Sequence, residues 1–330
     1  MKLQVPFVQL PLKFEAEVLA AEVGRVAETE WRSHPQGFEG NSMLPLVAVG
    51  GDPDNEAFAG AMQATPYLQQ CPYLMQVMAS LGATIGRTRL MRLSGHAEVT
   101  RHADQGYYWA ERVRVHVPIV TQPTVRFECG DSAVNMAAGE CWIFDTWRQH
   151  RVINDAVESR IHLVVDTVGG VRFWDMVAGG RPHGIPFDAS GWQPRLLPSA
   201  TDASADLACE SVNVPIVMSP WELNAHLNFL LGEALPSPQL PAVKQAGVVL
   251  MREWSELWAR YGESAAGRPA FRAALQRFLL ASDGPAQSVL LRNELRLAQT
   301  LAILIGRAAV APEASVAMTA DEQKAVGDNA

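Results

Sequence analysis

RLMRLSGHAEVTRHAD (Arg89–Asp104) and RVRVHVPIV (Arg112–Val120) decide how this chain is read. Both alternate apolar with charged residues, and both belong to a series of short runs between Ile85 and Thr167. The series is IGRTRLMRL (85–93), AEVTRH (97–102), RVRVHVPIV (112–120), TVRFEC (124–129), SAVNMA (132–137), CWIFD (141–145), HRVIN (150–154) and RIHLVVDT (160–167). Gly130-Asp131 and Ala138-Gly139 stand between runs as turn residues. Short strands at this spacing predict an antiparallel sandwich or a small barrel. Side chains alternate along a strand, so Arg112, Arg114 and His116 share one face while Val113, Val115 and Val117 share the other. Arg160, His162 and Asp166 oppose Ile161, Leu163 and Val165 in the same way. A polar face usually meets water. These two are rich in Arg and His instead of Lys, Thr and Ser, a composition that suits the lining of a sheltered cavity.

Outward from the strands, residues 12–32 carry helix formers at apolar spacing and predict a helix. Residues 33–56 read as loop, with GGDPDN at 50–55, and a helical pattern over 56–81 is interrupted by Pro66 and Pro72. Residues 1–84 are therefore expected to form a helical and loop segment packing on a barrel of residues 85–170. After Gly169-Gly170, residues 171–218 read as an irregular connector. Ser219-Pro220-Trp221-Glu222 is then a capping box with proline at the first helical position, opening a helix through Leu231. Helical patterns over 240–261, 268–281 and 286–308 complete a C-terminal helical region, 219–310, before a polar, frayed tail, 311–330. Trp221, Leu223, Leu227, Leu230, Trp254, Leu257 and Trp258 supply its apolar side, as a lid over the barrel mouth or as a homodimer face.

Composition narrows the function. With 330 residues, 48% hydrophobic and 19% charged, the chain has the make-up of a soluble globular protein with a full-sized core. A formal net charge of −8 argues against nucleic acid as the main partner, which needs a basic surface. No apolar run approaches the roughly 20 residues of a membrane helix, so no membrane partner is expected. The four cysteines, Cys71, Cys129, Cys141 and Cys209, lack CxxC spacing and read as reduced, which fits a cytoplasmic protein.

His102, Asp104, His150 and Arg160 carry the chemistry. His102 and Asp104 lie two apart on a strand and point the same way. A second histidine from a distant strand, His150, completes two imidazoles and one carboxylate on one side of a metal, a donor set that leaves positions open for non-haem Fe(II) oxygen chemistry. Arg160, ten positions on, is placed to clamp a carboxylate with a permanently charged, bidentate group. Against this stand a chance surface HxD, a structural His150 and an ordinary paired Arg160; spacing, order and strand context together favour the metal. Arg112, Arg114 and His116 share a face, and parity does not rank them. His162 shares the face of Arg160 but follows it too closely for a role to be assigned. Tyr107, Tyr108 and Trp109 fit a pocket cap and a packing cluster equally well.

Five stretches, TPYLQQCPYL (65–74), RLMRLSGHAEVTRHAD (89–104), RVRVHVPIVTQP (112–123), MAAGECWIFDTWRQHRVIN (136–154) and SRIHLVVDT (159–167), resemble the aspartyl/asparaginyl β-hydroxylase family of Fe(II)- and 2-oxoglutarate-dependent oxygenases, with the bacterial proline hydroxylases grouped in it. The resemblance implies a double-stranded β-helix, jelly-roll or cupin-like, with His102, Asp104 and His150 as iron ligands. It implies Arg160 as holder of the distal carboxylate of 2-oxoglutarate, Arg114 as a helper and His116 as its companion. The implied reaction consumes 2-oxoglutarate and O2, yields succinate and CO2, and hydroxylates an amino acid, a peptide or protein side chain, or a related small molecule. Two other readings stay open. One is a cupin-like isomerase or a dioxygenase that needs no 2-oxoglutarate; the other is a binding or regulatory protein on a degenerate barrel. Arg112 and the Tyr107–Trp109 cluster hint at an acidic or zwitterionic substrate.

Overall fold

The computed structural model describes residues 1–35, 37–200 and 205–311, and divides into two compact units. Of the described residues, the first holds those within 1–104 and 111–213; the second holds 105–110 and 214–311.

In chain order the elements are β1 (Phe7–Phe14), α1 (Ala16–Val23), β2 (Arg32–Ser33), β3 (Asn41–Val49), β4 (Met62–Ala64), α2 (Pro66–Gln69), α3 (Pro72–Ser80), β5 (Thr84–Leu93), β6 (Glu98–His102), α4 (Tyr107–Ala110), β7 (Val113–Val120), β8 (Arg126–Cys129), β9 (Ser132–Val134), β10 (Glu140–Phe144), β11 (His150–Ile153), β12 (Arg160–Gly169), α5 (Val171–Ala178), β13 (Arg181–His183) and β14 (Arg195–Leu197). All but α4 belong to the first unit. Its large sheet runs β13-β1-β10-β7-β12-β5-β3-β2, with β14 added beside β1 and β4 beside β3, and its small sheet runs β6-β11-β8-β9. From β5 to β12 the chain passes back and forth between the two sheets. Every pairing among these eight strands is antiparallel. That alternation is the double-stranded β-helix. Phe7, Leu93, Phe127, Cys129, Trp142, Phe144 and Val152 belong to a buried cluster drawn from both sheets.

The central strands β7 and β12 are buried almost end to end. Their apolar face does not meet water either: α1 packs on β7 and α5 on β12. Gly139, in the turn before β10, has φ +79°, and a Cβ there would lie 2.3 Å from the Phe14 carbonyl oxygen. Glycine is required, since the Phe14 amide donates to the Gly139 carbonyl at 2.8 Å.

The N-terminal segment departs from the helical and loop reading. The helix expected over 12–32 is confined to Ala16–Val23, and Phe7–Phe14 is a strand on β10. Residues 33–56, read as loop, contain the nine-residue strand Asn41–Val49 along β5. Its Pro45 sits at a register shift, where the missing N–H disturbs the ladder least. Pro66 and Pro72 begin helices α2 and α3 instead of interrupting one, because a first-turn N–H has no partner to lose. The connector 171–218 also holds α5 and two strands that pair with β1.

The second unit is helical. Besides α4 it contains α6 (Pro220–Glu233), α7 (Leu240–Tyr261), α8 (Arg268–Gln287) and α9 (Leu297–Leu301), which runs into a π-helical turn, Ala302–Gly306. The predicted cap forms: Ser219 Oγ accepts from the Glu222 amide at 3.2 Å. Trp254 packs on Phe271 with ring centroids 4.7 Å apart and donates to the Met218 carbonyl. Leu223, Leu227 and Leu230 are buried, whereas Trp221 is 76% exposed and outside the core. The helix expected over 286–308 forms only from Leu297. Before it, Glu294 adopts φ +71° and the Asn293 side chain caps the Leu295 amide, which makes a turn. Of the tail 311–330, residues 312–330 lie outside the described residues.

Candidate metal centre and anion pocket

β6 ends on His102 and β11 begins on His150, and antiparallel pairing sets these two residues directly opposite one another. Their rings lie 4.3 Å apart between centroids. Asp104 follows two residues after His102, its amide donating to the Thr146 carbonyl at 3.0 Å. One donor atom from each of His102, Asp104 and His150 lies within 4.8 Å of the others. Hydrogen bonds orient both imidazoles. His102 Nδ1 is 2.7 Å from the Thr100 carbonyl oxygen, and His150 Nδ1 is 2.9 Å from that of Arg148. A carbonyl only accepts, so each Nδ1 carries a proton, and Nε2 is the atom each ring can offer to a metal.

The carboxylate fits a cation equally well. Asp104 is buried, and neither of its oxygens accepts a hydrogen bond. Arg114 Nη1 lies 3.5 Å and His102 Nε2 3.9 Å from its oxygens. Burial outweighs both and pushes the carboxyl above its ordinary range. Burial likewise drives His150 well below the ordinary histidine value, which keeps it neutral. Two imidazoles and one carboxylate without a hydrogen bond suit a divalent metal such as Fe(II), with the remaining positions open.

The cavity beside this triad is lined by Arg89, Arg114, His116, Arg160 and Asn41 together with apolar residues such as Phe127 and Phe144. The predicted residues therefore split. Arg160, Arg114 and His116 line the same cavity as His102 and His150. Arg114 also pairs with Asp166, Nε to Oδ1 at 3.0 Å. Arg112 does not line it: its guanidinium grips Glu210 at 2.7 and 3.1 Å. Parity fails at Arg112 because β7 begins only at Val113, so the residue before it is not bound to the strand's alternation. Tyr107, Tyr108 and Trp109 are buried within the helical unit, where Tyr107 Oη donates to Glu222 at 2.5 Å.

Arg160 differs from the other two. It is buried, yet among the described residues it forms no ion pair. Its one hydrogen bond runs from Nη2 to His162 Nδ1 at 2.7 Å, and its Nε has no partner. Burial lowers its pKa to about 9, so it stays charged at neutral pH. An uncompensated buried guanidinium is costly unless an anion arrives. Sequence reading passed over Arg89 and Asn41, and left His162 without a role. The register set by β12 would have found Arg89, since it stands opposite Val164 on the cavity side. That register is visible only once the strands are paired.

Fold and donor set together define the class: a double-stranded β-helix with a two-histidine, one-carboxylate centre at one end. Residues 27–169 match the family Aspartyl/Asparaginyl beta-hydroxylase. L-proline cis-3-hydroxylase 1 of a Streptomyces species is 24% identical over 189 residues, spanning 53% of this chain and 60% of that protein. Among solved structures, a Pseudomonas putida prolyl-4-hydroxylase is similar with a TM-score of 0.34 at 18% identity, covering 50% of this chain and 92% of that one. A Trichoplax adhaerens prolyl hydroxylase, solved with a hypoxia inducible factor oxygen degradation domain peptide fragment, has a TM-score of 0.37 at 11% identity, covering 52% and 87%. At scores this low the two structural likenesses carry no argument about this chain.

Proposed function

We propose that the protein is a 2-oxoglutarate-dependent hydroxylase whose substrate is a carboxylate-bearing amino acid. The observation that carries the reading is Arg160: a buried, charged guanidinium without a counter-ion among the described residues, in the same cavity as His102 and His150. His102, Asp104 and His150 hold Fe(II), and Arg160 receives the distal carboxylate of 2-oxoglutarate through a fork suited to it. With 2-oxoglutarate and O2, the iron supplies the oxidative chemistry, by which the keto acid leaves as succinate and CO2 and the substrate gains a hydroxyl. Arg114, bridging Asp104 and Asp166, holds the ligand carboxylate in orientation and lies beside the co-substrate. Phe127 and Phe144 exclude water from the cavity.

Charge supports the substrate class. Arg89, Arg114 and Arg160 line the cavity, and the buried acids beside them are Asp104 and Asp166. A cavity lined by three arginines favours a substrate that brings an anionic group of its own. The family match and the proline hydroxylase relative agree with an amino acid.

The test is succinate release from protein supplied with Fe(II), 2-oxoglutarate and O2, screened over free amino acids and their amides. Free acids, proline among them, are expected to stimulate release and their amides are not. Metal binding with no use of 2-oxoglutarate would replace this reading with the cupin-like one.

A further inference from the structure

The cavity's arginines are not held alike. Arg114 is paired with an acid, Asp166, and Arg112, which does not line the cavity, with Glu210. Arg160 instead has an imidazole: its Nη2 donates to His162 Nδ1 at 2.7 Å. A guanidinium cannot accept, so His162 Nδ1 is unprotonated and the ring proton sits on Nε2. His116 Nδ1 lies 3.4 Å from the same nitrogen, and only as its donor is that contact favourable. Both rings are buried, and burial together with the charge of Arg160 drives both well below the ordinary histidine range. Both are therefore neutral at physiological pH.

We propose that His162 is a positioning residue for the co-substrate: it fixes the Arg160 guanidinium through a neutral acceptor and leaves its charge for the distal carboxylate of 2-oxoglutarate. A carboxylate at this position would orient Arg160 as well. It would also neutralise it, and an incoming anion would have to displace a buried, hydrogen-bonded acid. An aliphatic side chain would leave the charge but lose the orientation, and a flexible guanidinium gives up part of its bidentate binding in being ordered. The neutral histidine satisfies both demands. His116 packs edge-on against the His162 ring, with centroids 5.6 Å apart. The inference rests on the reading of Arg160 as the 2-oxoglutarate anchor.

The experiment is calorimetric titration of 2-oxoglutarate into full-length protein loaded with Mn(II), for wild type and three variants. Manganese binding alone, measured first, is expected to be unchanged in each. His162→Leu is expected to weaken 2-oxoglutarate at least about tenfold, the scale of a lost hydrogen bond to a charged group. His162→Asn, whose Oδ1 can take the place of Nδ1, is expected to stay within about threefold of wild type on the same scale. His162→Asp, of nearly the same shape as Asn but charged, is expected to bind no better than the Leu variant. Wild-type affinity in the Leu variant, or equal affinity in the Asn and Asp variants, would overturn the proposal. Should the Leu variant not fold, the Asn–Asp pair decides alone. Wild-type protein that binds manganese but no 2-oxoglutarate would instead remove the role of Arg160 on which the inference depends.

Discussion

Asp104 is the residue whose surroundings state a function most directly. In the metal-free protein its carboxyl is buried with no hydrogen bond, and its pKa is raised by that burial above the ordinary value of 3.8. The folded state then holds the proton longer than the unfolded state. Asp104 therefore contributes a penalty that begins as pH rises past the unfolded value and is complete above the folded one. Asp104→Asn is expected to leave the protein without added metal at least as stable as wild type at neutral pH, while abolishing the rise in Tm expected of wild type with Mn(II). A melting series with and without Mn(II) checks both halves. The same pKa implies that metal affinity falls as pH is lowered, since the proton competes for the ligand. At this scale the sequence was largely readable: HxD, a later His and the H-x9-R spacing are local or nearly local patterns. Arg112 was not, because its partner Glu210 lies 98 positions away. Arg89 was missed because its cavity-side position depends on pairing with β12.

Elements were readable where a local rule dominated. The eight β-helix strands alternate so regularly that periodicity locates them, and the Ser219 cap is written in four consecutive residues. Ser219→Ala removes the acceptor for the Glu222 amide and is expected to destabilise the helical unit by about 1 kcal/mol. Ser219→Asp, which keeps an acceptor, should melt like wild type; equal melting of the Ala variant would remove the cap from the account. Where non-local pairing dominated, local rules failed. Phe7–Phe14 and Asn41–Val49 are strands because β10 and β5 offer them edges, not because their own sequences exclude helix or loop. The misreading over 286–308 has a different origin. Apolar spacing continues through the segment, but the left-handed Glu294 and the Asn293 cap open a turn before the last helix.

For the whole molecule, the division into two units does not follow the chain. Residues 105–110, directly after Asp104 of the candidate metal centre, belong with the C-terminal helices, where Tyr107 meets Glu222 and stacks edge-on against His226, and Gln105 meets Thr300. No local pattern announces that membership, since its partners come from the last third of the sequence. The β-helix unit, by contrast, carries the whole candidate centre: the three side chains that could hold a metal, the buried Arg160 and the cavity beside them. The claim that binds these together is that His102, Asp104 and His150 hold Fe(II) while Arg160 anchors 2-oxoglutarate beside it. The direct measurement is the visible spectrum of anaerobic protein after Fe(II) and then 2-oxoglutarate are added. Wild type should develop a weak charge-transfer band on the second addition, and His150→Ala should not. Wild-type protein that takes up Fe(II) yet shows no band with 2-oxoglutarate would contradict the account.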